Sequence, residues 1–204
     1  MKPTLFIFLA AAGFAQSPHQ HHAPGSAEEY IRVLNDPQRD SWQKPHELMM
    51  ALNLKGSDVV ADIGAGSGYF SRRFAHHAGK VYAVDIDPKL VEASVKDAPK
   101  NVEGVLAASD DPKLPPGAVD LIFFCDVLHH IENRAAYYSK IARALKPGGR
   151  VVVVDFYKKP LPVGPPEEMK ISEKQMIEEL KDAGFRKTKS FDFLPYQYFL
   201  IFAR

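Results

Sequence analysis

Val60-Ala61-Asp62-Ile63-Gly64-Ala65-Gly66-Ser67-Gly68-Tyr69 is the stretch that decides how the chain folds. A short buried strand, around residues 59–61, runs into a turn with glycines at 64, 66 and 68, and a helix is expected from Tyr69. Glycine is needed where the chain reverses sharply and where a ligand must come close to the backbone. Dinucleotide-binding turns use the spacing G-x-G-x-x-G and hold a pyrophosphate at the helix N-terminus. Here the third glycine arrives one residue early, and Asp62 stands two residues before the first. A carboxylate at that point repels a pyrophosphate.

Outward from this turn the pattern alternates. Strands are expected at 81–84, 102–106, 119–124 and 151–154, with helices at 69–77, 88–96 and 134–145. Lys146-Pro147-Gly148-Gly149 is read as the turn closing the last of these helices. The strands are continuous apolar runs rather than alternating ones, the pattern of a parallel sheet covered on both faces. Right-handed crossovers then imply a doubly wound sheet. Upstream, helices are expected at 28–35 and from Pro45 until Gly56 ends the second. The tail differs: a helix at 173–183, capped by Ser172 and stopped by Gly184, precedes strands at 185–193 and 196–202 that meet in a hairpin. The expected architecture is therefore α/β: a seven-stranded, mostly parallel sheet with a C-terminal antiparallel hairpin and helices on both faces.

The chain has 204 residues, enough for one domain with a sizeable core. Lys plus Arg is 26 and Asp plus Glu is 25, so no overall field attracts nucleic acid or an anionic membrane. The single cysteine, Cys125, excludes an internal disulfide and a cysteine-based metal cluster, and no metal site is expected. Residues 1–15 read as a signal peptide: Lys2, an apolar run from Leu5 to Ala12, then Gly13-Phe14-Ala15 as a cleavage site. The run is too short to span a bilayer, for which about 20 apolar residues are needed. Export to the periplasm or medium is the expectation, with a cytoplasmic chain as the alternative. Residues 16–27 read as a flexible linker whose His19, His21 and His22 lack carboxylate or thiol company, leaving 28–204 as the domain.

The carboxylates near the strand ends define the ligand. Asp62 suits the amino group and sulfonium-bearing chain of S-adenosyl-L-methionine, which is cationic where a dinucleotide carries phosphate. Asp85, 21 residues after Gly64 at the end of the second strand, is placed to accept both hydroxyls of a ribose, with Ile86 beside it. Asp110, after Ser109 in the loop following the third strand, can accept from an adenine amine. All three lie at the carboxyl edge, where open α/β sheets bind ligands. From about Lys44 to the C-terminus the chain resembles the type 11, or ubiquinone-biosynthesis-like, branch of the class I (Rossmann-like) S-adenosylmethionine-dependent methyltransferases. The matching segments are ADIGAGSGYF (61–70), AVDIDP (83–88), DDPKLPPGAVDLIFFCDVLHHI (110–131) and ALKPGGRVVVVDF (144–156). The resemblance implies the fold and the cofactor, with Asp62, Gly64, Ala65, Gly66, Gly68, Tyr69, Asp85, Ile86, Ser109, Asp110 and Cys125 around it. It leaves the acceptor open among quinones, sterols, small amines and others. Arsenicals fit poorly, because their usual methylation needs several thiols.

Methyl transfer from a sulfonium needs alignment, desolvation and, for some acceptors, a base. The place for the acceptor is beside the fourth strand, at Cys125-Asp126-Val127-Leu128-His129-His130. His129 is the favoured base, His130 the alternative, and Asp126 is expected to orient a histidine or touch the acceptor. The same histidines would serve equally in packing and capping the turn. Asp155 and Tyr157, ending the fifth strand, are secondary candidates. Cys125 follows an apolar strand with an acid after it, so its thiol pKa is not expected to be lowered. Trp42, with Gln43 and Lys44, precedes the second helix, where a lone tryptophan is more often core than lid. The short, proline-rich segment 157–170 implies an open acceptor site, unless 28–45 builds the cap. Two other readings compete. A dinucleotide-dependent oxidoreductase shares the sheet and Asp85 but explains neither Asp62 nor Asp110, and a catalytically silent cofactor-binding module needs no base. The expected partner is a small-molecule methyl acceptor, with no nucleic acid, no transmembrane span in the mature chain, and an undetermined oligomeric state.

Overall fold

The computed structural model describes residues 26–204; the expected signal peptide, the histidines at 19, 21 and 22 and most of the expected linker lie outside them. Helix α1 (Ala27–Leu34) starts one residue before the expected boundary, because the Ser26 side chain accepts from the Glu29 amide at 3.1 Å and caps it. A 3₁₀ turn (Pro37–Arg39), short α2 (Asp40–Gln43) and α3 (Pro45–Leu52) follow. α3 ends at Asn53 rather than Gly56: Asn53 adopts φ 46°, and asparagine tolerates the left-handed region that ends helices.

The alternating part is β1 (Val59–Ile63), α4 (Tyr69–Phe74), β2 (Lys80–Asp85), α5 (Pro88–Val95), β3 (Val102–Leu106), β4 (Val119–Cys125), α6 (Arg134–Ala144) and β5 (Leu145–Phe156). α7 (Glu173–Asp182), β6 (Arg186–Phe191) and β7 (Gln197–Ala203) complete it. The seven strands form one sheet in the order β3-β2-β1-β4-β5-β7-β6. β1 to β5 pair parallel, and β7 pairs antiparallel with both β5 and β6. The Lys146–Gly149 segment is not a separate turn. It belongs to β5, which pairs Val119 with Leu145 and resumes at Leu121 with Arg150 after a register shift.

Period two sorts the inner strands onto two cores. Ala61, Ile63, Ile122, Phe124, Val151 and Val153 pack with Tyr137, Tyr138 and Ile141 of α6 and with Met176 and Leu180 of α7. Val60, Val81, Leu121, Phe123, Val152 and Val154 pack on the other face with Leu48 and Leu52 of α3 and with Phe70 and Phe74 of α4. Continuous burial explains why these strands read as unbroken apolar runs. It also assigns faces to the acids: Asp62 belongs to the α4 face and Asp155 to the α6–α7 face. The chain reverses its winding between β1 and β4, and the carboxyl ends meeting there are where such sheets bind ligands.

Candidate active site

The glycine turn hangs on β2: the amides of Gly64 and Ala65 both donate to the carbonyl of Val84, at 2.8 and 3.0 Å. Gly64, Gly66 and Gly68 have φ of 70°, 56° and 84°, so each glycine is required by the backbone itself. The chain also uses the space they leave. Val127 abuts Gly64, and a Cβ on Gly66 would lie 2.7 Å from Leu34 Cδ1. Asp85 Oδ2 accepts from the Gly66 amide at 2.9 Å and Oδ1 from the Asp87 amide at 3.1 Å. The carboxylate is thereby fixed across the turn, with lone pairs left over.

Asp62 is 2% exposed and accepts from Ser71 Oγ at 2.6 Å. Burial pushes its pKa up to about 7, against the Ser71 hydrogen bond and the more distant charge of Arg39. Tyr69 is buried, and its hydroxyl donates to Asp40. Ile86 and Leu106, at the ends of β2 and β3, are large apolar side chains left 61% and 55% exposed. Ser109 and Asp110 are exposed, and Asp110 is engaged by Lys140 at 2.8 Å, which lowers its pKa.

At the end of β4, Asp126 adopts φ 55°. Its oxygens accept from Gln197 Nε2 at 2.7 and 2.9 Å, and Cys125 Sγ lies 3.5 Å away. Burial, then the charge of Asp155, raises the Asp126 pKa. Among the described residues no histidine bonds to it, and the expected orienting contact is taken by a glutamine instead. Burial and the neighbouring Asp126 push the Cys125 thiol well up, which fits a packing role. The His129 side chain is 4% exposed, with Nδ1 3.9 Å from Asp155 Oδ1. His130 is the more open of the pair, and its ring lies 4.1 Å from that of His129. Burial, then the charge of His129, lowers the His130 pKa.

Segment 27–45 lies over this edge and supplies residues that carried no motif. Leu34 meets Gly66, and Asn35 Oδ1 accepts from Ser67 Oγ at 2.8 Å. Arg39 stacks 4.2 Å from the Tyr69 ring centroid and donates to Gln43 Oε1 at 3.1 Å. Gln43 donates to Gln197 Oε1 at 2.9 Å. A polarised chain thus runs from guanidinium through two amides to the Asp126 carboxylate. Gln43 and Gln197 are fully buried. The one sequence signal for Gln197 was a polar residue opening an otherwise apolar strand. Trp42 packs 5.8 Å from the Phe156 ring and 6.5 Å from Tyr196, and Lys44 Nζ donates to the Phe193 carbonyl at 2.8 Å.

The donor set can be tested against a cationic nucleoside. A carboxylate sealed at Asp62 with one hydroxyl partner is destabilised as an anion, and a neighbouring cation would relieve it. Asp85 has free lone pairs beside two exposed apolar side chains. Both features suit S-adenosylmethionine, and neither suits a pyrophosphate.

The fold is the class I, Rossmann-like fold of methyltransferases. Residues 61–153 match the family model described as "Methyltransferase domain". A solved S-adenosylmethionine-dependent methyltransferase from Aquifex aeolicus superposes with a TM-score of 0.80 at 25% identity, covering 87% of this chain and 98% of that one. The demethylmenaquinone methyltransferase of Tropheryma whipplei (strain Twist) is 31% identical over 64% of this chain and 55% of its own length. Phosphoethanolamine N-methyltransferase 1 of Arabidopsis thaliana is 28% identical over 56% of this chain and 24% of its own. The chain thus spans about half, or less, of the length of these curated relatives. Over residues 61–153 it matches the methyltransferase-domain family, and its fold is that of a solved S-adenosylmethionine-dependent methyltransferase.

Proposed function

We propose that the protein transfers a methyl group from S-adenosylmethionine to a small-molecule acceptor. The observation that carries this reading is the pair of buried carboxylates on either side of the glycine turn, Asp62 and Asp85. Asp85 would hold the ribose, Ile86 and Leu106 would flank the base with Asp110 at its edge, and Asp62 would face the cationic methionine end. Arg39 offers a guanidinium to the amino-acid carboxylate. When bound, the cofactor supplies an activated methyl on a sulfonium. The chain supplies alignment and a dry site, since segment 27–45 already covers the turn.

His129 is the proposed base, taking the acceptor's proton as the methyl arrives. A quinol or phenol acceptor and an amine acceptor both fit such a base, and relatives of both kinds exist. Calorimetry with S-adenosylmethionine, S-adenosylhomocysteine and NAD tests the cofactor: binding of the first two and not the third is expected, and the reverse overturns the reading. Release of S-adenosylhomocysteine over a panel of quinols, phenols, amines and thiols then tests turnover, and separates an enzyme from a silent binding module.

We also propose export, supported by the order of charge, apolar run and small residues in 1–15. Among the described residues no helix is long and apolar enough to cross a membrane. Mass spectrometry of the native protein should find Gln16 or a near neighbour at the mature N-terminus; an intact Met1 or Lys2 overturns it.

A further inference from the structure

Among the described residues, two buried side-chain polar atoms have no hydrogen-bond partner: His129 Nδ1 and Asp155 Oδ2. Their residues lie at neighbouring strand ends. His129 lies in the 3₁₀ turn Leu128–His130 after β4, and Asp155 is the penultimate residue of β5. His129 Nδ1 stands 3.9 Å from Asp155 Oδ1, with the two side chains 4% and 1% exposed. Leaving a buried polar atom unpaired is costly, and the His129 imidazole stands within about 1 Å of bonding distance of the Asp155 carboxylate, so a small rotation of the carboxylate would pair the two groups.

Among the described residues neither orphaned atom has another partner. Asp155 Oδ1 accepts from the Phe156 amide at 2.8 Å, which orients the carboxylate and leaves Oδ2 free. The nearby donors are committed elsewhere. Tyr198, opposite Asp155 on β7, donates to the Ile171 carbonyl at 3.3 Å. Lys170 donates to the Lys159 carbonyl at 2.8 Å, and Gln197 donates to Asp126. The His130 ring packs on His129 and limits its rotation. His129 Nε2, unlike Nδ1, is not sealed off without a partner.

We propose that Asp155, not Asp126, is the positioning residue for His129. Its Oδ2 accepts the Nδ1–H, which selects the tautomer carrying the lone pair on Nε2 and aims that nitrogen toward the acceptor. This rests on the reading of His129 as the base. In the step it serves, an acceptor lone pair forms the bond to the methyl carbon while the carbon–sulfur bond breaks, its electron pair going to sulfur. The acceptor's proton passes to Nε2. The positive charge lost by the sulfonium therefore appears on the imidazole, where the Asp155 carboxylate stabilises it until the proton leaves to solvent.

The test is the tautomer of His129, read from long-range proton–nitrogen spectra of the ¹⁵N-histidine-labelled full chain at a pH where imidazole is neutral. The His129 signal is assigned by its loss in His129→Gln. Wild type should show the Nδ1–H tautomer. Asp155→Ala and the near-isosteric Asp155→Asn should both revert to Nε2–H, while S-adenosylhomocysteine affinity stays within about 2-fold, a control for folding. Once an acceptor is found, Asp155→Asn should lower kcat about 10- to 100-fold with the KM for S-adenosylmethionine unchanged. A wild-type Nε2–H tautomer overturns the proposal without any variant, and so does a tautomer that neither substitution moves. The spectrum needs no acceptor, so it fails independently of the methyltransferase reading. A His129→Ala enzyme that keeps its turnover removes the base, and Asp155's positioning role with it, while leaving the cofactor assignment standing.

Discussion

The two halves of the carboxyl edge are built differently. On the β1–β2 side the polar groups are satisfied by the chain itself: Asp85 takes two backbone amides, Asp62 takes Ser71, and the turn hangs on Val84. On the β4–β5 side His129 Nδ1 and Asp155 Oδ2 are buried and unpaired, and Asp126 sits at positive φ. The difference matches two tasks. A preformed, internally bonded turn would take up a constant ligand without reorganising, whereas the unpaired atoms on the other side would hold a base in position once they bond to one another.

The largest expected effect lies on the β4–β5 side. His129→Ala should lower turnover by roughly 10²–10⁴-fold and leave S-adenosylhomocysteine affinity nearly intact. With His130→Ala as control, equal mild losses in both variants would show that the histidines only pack, and a large loss confined to His130 would reverse the assignment.

Next comes Asp62, through pH. Its folded pKa of about 7 lies above the ordinary carboxylate value of 3.8, so the folded chain keeps this proton longer than the unfolded one. Its contribution to stability is present below pH 4 and is lost as pH rises through about 7. The ceiling on the loss is about 4 kcal/mol at ~1.4 kcal/mol per pKa unit. Urea unfolding of the ligand-free protein at pH 5 and pH 8 should show a decline that Asp62→Asn flattens. Equal pH dependence in the two proteins would mean that other groups, Asp126 first among them, carry it.

Asp85→Ala should weaken S-adenosylhomocysteine binding about 10- to 100-fold, the worth of charge-assisted bonds at ~1.5–3 kcal/mol. An unchanged dissociation constant in calorimetry would detach Asp85 from the ribose. The smallest effect is expected at Asp110, which is exposed and already engaged by Lys140. Asp110→Ala should change the same dissociation constant by about 3-fold or less, because water screens contacts at an exposed site. A loss as large as that of Asp85→Ala would show that Asp110 exchanges Lys140 for the adenine.

The unequal legibility of the two sides has the same origin. The strand–turn–helix of 59–74 is a local object: apolar runs, three glycines at positive φ and an acid two residues ahead are all within a few residues of one another. The inner strands were likewise legible, since burial on both faces forces continuous apolar runs, whereas the edge strands β3 and β6 are largely exposed. Local signals misplaced details where geometry could be met in more than one way. Asn53 ends α3 instead of Gly56, and Lys146–Gly149 joins β5 instead of turning.

What the sequence by itself determined about this protein is the sheet, the glycine turn and the acids at the strand ends, because neighbours in the chain specify them. Only the tertiary structure decided which distant groups meet there. Gln43 and Gln197 bond across 154 positions, and Arg39 reaches the Asp62–Asp126 side from a segment that carries no motif. Asp155 stands beside His129 because β4 and β5 are adjacent in the sheet and period two turns Asp155 toward the α6–α7 face. Hydrogen-bond partners far apart in sequence leave no spacing to read; they are selected when the sheet closes and each buried polar atom must find what lies within reach.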